Sequence, residues 1–145
     1  MSAQQQASPP PEFGTSAKVF SPAEANRSLV LVSRVVQELV NKYRRLIELR
    51  DARYELSALA GNTDALERVD REAGLLRHEL IKLDEELKRV GCVLKDWVEG
   101  LVDFPARYQG RPVWLCWRLG EPQVAYWHEL QAGFAGRQPV GPDFS

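Results

Sequence analysis

Two cysteines, two histidines and one methionine are all that the 145 residues offer as soft or near-neutral side-chain chemistry. So few thiols exclude a disulfide-stapled scaffold, and Cys92 and Cys116 are read as reduced thiols. Excess charge is also missing. Nineteen basic residues face twenty acidic ones, for a net charge of −1, and the signs are mixed along the chain with no basic block. Electrostatic capture of nucleic acid or of an anionic membrane surface is therefore not expected. No apolar run approaches the roughly eighteen residues a bilayer crossing needs. The first residues, MSAQQQASPPPEFGTSA, lack the cationic start and apolar stretch of a signal peptide, so the expected location is the cytoplasm.

What is present is helical periodicity. Residues 1–17, rich in Gln, Ser, Ala and Pro, read as a disordered tail, and 18–145 as one domain. Ser21-Pro22-Ala23-Glu24 is a helix start: a hydroxyl cap, a proline that needs no N–H, and an acid at the capping-box position. Beyond it Leu29, Val32, Val36, Leu39, Tyr43 and Leu46 alternate steps of three and four, the stripe of a helix that packs on another helix. Arg50 and Arg53 interrupt the stripe, which resumes one frame over at Leu49, Ala52, Leu56 and Leu59. The two arginines are expected to pair with Glu72 or Glu79 across the hairpin or to reach water. After Gly61-Asn62, a second stripe runs Leu66, Val69, Ala73, Leu76, Leu80, Leu83, Leu87 and Val90, and Gly91 stops it. Helices over 22–59 and 64–90 joined by so short a link must be antiparallel. The first is the longer, so its start, around Ala25 to Leu31, needs cover from elsewhere in the chain.

The cover comes from residues 92–129, which hold all four tryptophans. Runs at Leu101–Pro105, Val113–Arg118 and Val124–His128, separated by Gln109-Gly110 and Gly120-Glu121-Pro122, read as a three-stranded antiparallel meander. Residues 130–145 read as irregular. The fold class is therefore α+β, mostly α: a long coiled-coil-like hairpin with a small sheet at its base.

Pairing the strands about Gln109-Gly110 sets Val102 opposite Trp117 and Phe104 opposite Leu115 on an apolar face. The other face then collects Asp103, Trp114, Cys116, Arg118, Tyr126 and His128, and a one-residue slip of the last strand exchanges His128 for Glu129. Asp103, Cys116 and His128 are ligand types for zinc, with water or Glu121 as a fourth, and Cys with His is also a nucleophile–base pair. Arg118 with His128 and Trp114 suggests instead an anion or small ligand. Against these stand a buried thiol acting as a small hydrophobe and an arginine paired to an acid. The Cys116–His128 spacing matches no metal motif.

Four strings resemble an uncharacterised bacterial family of small conserved proteins. They are Phe20-Ser21-Pro22-Ala23-Glu24-Ala25-Asn26, Gly100-Leu101-Val102-Asp103-Phe104-Pro105, Leu115-Cys116-Trp117-Arg118-Leu119-Gly120-Glu121, and Trp127-His128-Glu129 with Gly133-Phe134-Ala135-Gly136-Arg137. The likeness spans residues 19 to about 140 and implies a small cytoplasmic protein without supplying an activity. The reading favours a structural or protein-interaction module, not an enzyme. A homodimer would form through a second helix face of Val30, Val35, Val40 and Ile47, or a protein partner would dock there. The alternative is a ligand-, anion- or metal-binding protein that uses the Asp103/Cys116/Arg118/His128 face.

Overall fold

The computed structural model describes residues 18–144, so the N-terminal tail read at 1–17 lies outside the described residues. Helix α1 (Pro22–Ser57) and helix α2 (Thr63–Val90) form the hairpin. Ser21 Oγ accepts from the Glu24 amide and Glu24 returns the bond to the Ser21 amide, so the capping box is complete. Gly91, at φ 111°, takes the left-handed position that ends α2. Helix α1 stops two residues short of the sequence boundary, and α2 starts one residue early, at Thr63, with Asn62 before it making no side-chain cap.

Five strands follow, β1 (Val93–Asp96), β2 (Leu101–Tyr108), β3 (Arg111–Arg118), β4 (Tyr126–His128) and β5 (Gln138–Pro139), paired antiparallel in chain order. The sheet thus has two edge strands more than the three-stranded meander read from sequence, and the tail beyond residue 130 supplies β5 and a 3-10 turn at Phe134–Gly136. Asp96 makes the extra hairpin at the front. Its Oδ1 accepts from the Val98 and Glu99 amides at 2.8 Å each, and its carbonyl from Gly100. Gly100 is required there: its φ is 75°, and a Cβ would sit 2.8 Å from the Leu119 Cβ. Pro105 sits inside β2, where a missing N–H removes a ladder bond from a central strand. Its carbonyl, however, points away from β3 and accepts from Phe20 at 2.7 Å, so the position is locally an edge.

One face of the sheet packs on the hairpin. Val102, Phe104, Leu115 and Trp117 meet Val32, Val36, Leu39 and Leu87 in a core that excludes water. The start of α1 is covered as its length demanded. Ala25 is fully buried, and the Asn26 amide pairs with both the N–H and the C=O of Val124, standing in for a strand. Val35 and Val40 belong to this same core, which leaves only Val30 and Ile47 of the residues that suggested a homodimer. Arg53 pairs with Asp70 and Arg50 with Asp51, whereas Glu72 and Glu79 are taken by Arg45 and Lys42. Among the described residues no helix is long and apolar enough to cross a membrane.

Candidate functional site

Alternation along a pleated strand puts every second residue on the face away from the helices. In β2, β3 and β4 those residues are Asp103, Trp114, Cys116, Tyr126 and His128, with Asp103 opposite Cys116, Cys116 opposite Tyr126 and Trp114 opposite His128. An outward face is normally wet. Here Asp103, Trp114, Cys116 and His128 are all buried: Lys95 lies over Trp114, and Leu130, Gln131, Gly133 and Phe134 lie beside the other three.

Three strands deliver three ligand-type atoms to one point. The Asp103 carboxylate, the Cys116 thiol and a ring nitrogen of His128 lie within 4.8 Å of one another. Asp103 and His128 are two strands apart, a gap of about 10 Å that the two side chains bridge over β3. The His128 Nε2 stands 3.0 Å from Asp103 Oδ2. On its other side Nδ1 stands 2.7 Å from the Glu129 carbonyl, which can only accept, so Nδ1 carries a hydrogen. Val93 pairs with Asp103, so alternation puts Lys95, two residues on, onto the same face. Its ammonium sits 3.2 Å from Asp103 Oδ2 and 4.1 Å above the Trp114 ring.

These neighbours set the protonation states. Burial opposes a charged His128 ring, but the bonds to Asp103 and the Glu129 carbonyl outweigh it and hold the pKa above the ordinary 6.5. Both bonds favour the protonated ring, and His128 shares Asp103 Oδ2 with Lys95. Burial, and then the Asp103 charge, push the Cys116 thiol up to about 12. A neutral thiol is a poor nucleophile, and both His128 nitrogens are engaged by oxygens, so the nucleophile–base pairing is not assembled. The linkage has a sign. Folding raises the His128 pKa, so the stability it contributes is full below pH 6.5 and is lost as pH rises through the folded value. Urea midpoints should fall between about pH 6 and about pH 9, and His128→Gln should flatten that slope.

The remaining sequence candidates go elsewhere. Arg118 pairs at the sheet end with Glu99, 2.6 Å away, so it does not join His128 over an anion. Tyr126 stacks on the Arg137 guanidinium at 4.0 Å, with Phe134 on its other side at 4.5 Å. Arg137 also takes Glu121 at 2.7 Å, which removes Glu121 as a fourth ligand. Sequence reading missed Lys95 and Arg137. Lys95 follows the alternation of Val93-Leu94-Lys95-Asp96, and Arg137 closes the Gly133-Phe134-Ala135-Gly136-Arg137 string.

A cavity of about 270 Å³ opens beside the three ligand atoms, walled by Lys95, Leu101, Gln131 and Phe134. The family model described as "Uncharacterized conserved protein (DUF2203)" matches residues 18–140, from the first described residue through β5 and every residue of this site. The chain belongs to the DUF2203 family. No curated protein and no solved structure matches it. For this DUF2203 chain, chemistry must therefore be argued from the site. Asp103, Cys116 and His128 are a hard, a soft and a borderline ligand, a mixture that suits zinc. A tetrahedral zinc needs neighbouring ligand atoms about 3.3–3.6 Å apart, which small side-chain shifts within a 4.8 Å cluster supply. The Glu129 carbonyl on Nδ1 is the kind of outer partner that orients a metal-bound imidazole, leaving Nε2 for the ion.

Proposed function

We propose that this DUF2203 chain is a small zinc-class metal-binding protein, with Asp103, Cys116 and His128 as the protein ligands and a water from the adjoining cavity as the fourth. One observation carries the reading: three different ligand side chains, from three strands, meet within 4.8 Å in a buried setting. Asp103 already holds one cation, the Lys95 ammonium, and an entering metal would replace that charge as Lys95 swings toward solvent. The ion would also displace the protons of Cys116 and His128, so binding tightens as pH rises. Three protein ligands with an open fourth position is the arrangement of sites that present a metal to a small molecule. Two buried, unpaired thiols suit the cytoplasm. A homodimer through the hairpin keeps support only from Val30 and Ile47.

Equilibrium dialysis against zinc chloride at about pH 8 tests the reading. One zinc per chain is expected for the unaltered protein and none for Cys116→Ala or His128→Ala, while Cys92→Ala, on the far side of the sheet, keeps its zinc. Stoichiometric binding that survives loss of Cys116 and His128 would sink the proposal, as would no binding at all.

A further inference from the structure

Away from the Asp103/Cys116/His128 cluster, the hairpin carries a surface that the rest of the described residues leave uncovered. The sheet spans only the basal part of the hairpin and stops at the turn bearing Trp97, whose ring packs on Tyr43 at 5.6 Å. Past that point, among the described residues, α1 and α2 pack on each other alone. A groove of about 370 Å³ begins there and runs from Tyr43 to Arg53 between the helices, floored by Leu46, Leu49, Val69 and Ala73. A second, apolar depression continues it past Leu80 and Ile81 to Trp97, and a third runs from Tyr43 to Val98 and Leu119. Ile81 and Val98 are 58% and 59% exposed, high for aliphatic side chains next to a core.

The rim of this surface has a sign. Its lining residues include five arginines, at 44, 50, 53, 77 and 118, and two acids, Asp70 and Glu99. Both acids are spent, Asp70 on Arg53 and Glu99 on Arg118. Among the described residues, Arg44 and Arg77 have no carboxylate within 4.0 Å, and Arg50 reaches only its exposed neighbour Asp51. A chain of net charge −1 thus rims this open apolar surface with an excess of cations. We infer that this groove receives an acidic amphipathic helix of a partner protein, its apolar stripe on Leu46, Ile47 and Ile81 and its carboxylates on Arg44, Arg50 and Arg77. Such a helix would continue along the hairpin the cover that the sheet provides at its base, and about 15 Å of groove accepts about three turns. A second copy is disfavoured by symmetry: a two-fold interface sets the patch against itself, arginine toward arginine. A nucleic acid would use the cations and leave the apolar floor wet.

The full chain is titrated with a labelled three-turn peptide bearing leucines at helical spacing and flanking glutamates. Its twin with lysine for glutamate and a single-stranded oligodeoxynucleotide are titrated alongside, and the protein alone is sedimented. The glutamate peptide should bind at least about tenfold tighter than its twin. Arg77→Glu, which breaks no ion pair, should reverse that order with an unchanged circular dichroism spectrum, and Leu75→Ser, outside the groove, should leave it intact. Equal binding of the twins, tighter binding of the oligonucleotide, or a dimer that Arg77→Glu dissociates would each overturn the inference.

Discussion

Asp103→Ala is expected to destabilise the protein by about 3 kcal/mol at neutral pH, the low end of what removing one partner from a buried ion pair costs. Asp103 is buried between the Lys95 ammonium and the His128 ring. Without it His128 has no acceptor at Nε2 and must either stay charged in a dry site or give up its proton. Lys95 is partly exposed and can turn to water, which places the loss at the low end. Asp103→Asn keeps the volume and a carbonyl for His128, so its loss should be smaller, about 1–2 kcal/mol. Urea unfolding measures both. A loss below about 0.5 kcal/mol for Asp103→Ala would mean that the carboxylate does not organise this face.

Leu87→Ala should cost about 2–5 kcal/mol, whereas Leu75→Ala should cost less than about 0.5 kcal/mol. Both are leucines of α2, and only their place on the helix differs. Leu87 is 0% exposed in the core shared by hairpin and sheet, so its truncation leaves a cavity with no helix free to close it. Leu75 is 64% exposed and lies off the stripe. Leu76, in the small distal cluster with Leu49 and Ala73, should fall between them, because fewer neighbours surround it. Thermal and urea unfolding of the three variants give the order directly, and equal losses at 75 and 87 would contradict the packing.

That stripe was legible because a helix facing a helix repeats its apolar residues with a fixed period, and eight consecutive positions from Leu66 to Val90 keep it. The register of β2, β3 and β4 was legible for a similar reason. The two-residue turn at Gln109-Gly110, with φ of 51° and 84°, fixes which residues face each other, and the pleat then sorts them. Strands of four and two residues are too short to show a period, so β1 and β5 stayed hidden. Lys95 reaches Asp103 from β1, so its part in the site stayed hidden with that strand. The burial of the outer face was hidden too, since it depends on where Lys95 and residues 130–134 lie. Arg118 shares a face with Cys116, yet Glu99 on the preceding turn draws its head away, a choice made by tertiary geometry.

Cobalt(II) titration of the full chain, followed by absorbance, tests the metal reading most directly, because a cobalt–thiolate bond has a near-ultraviolet charge-transfer band that no other ligand here can produce. The account predicts that band at one equivalent, growing in more readily as pH rises, absent from Cys116→Ala and His128→Ala and intact in Cys92→Ala. Cobalt that leaves the near-ultraviolet unchanged, or a band that persists without Cys116, would contradict a metal centre at Asp103, Cys116 and His128.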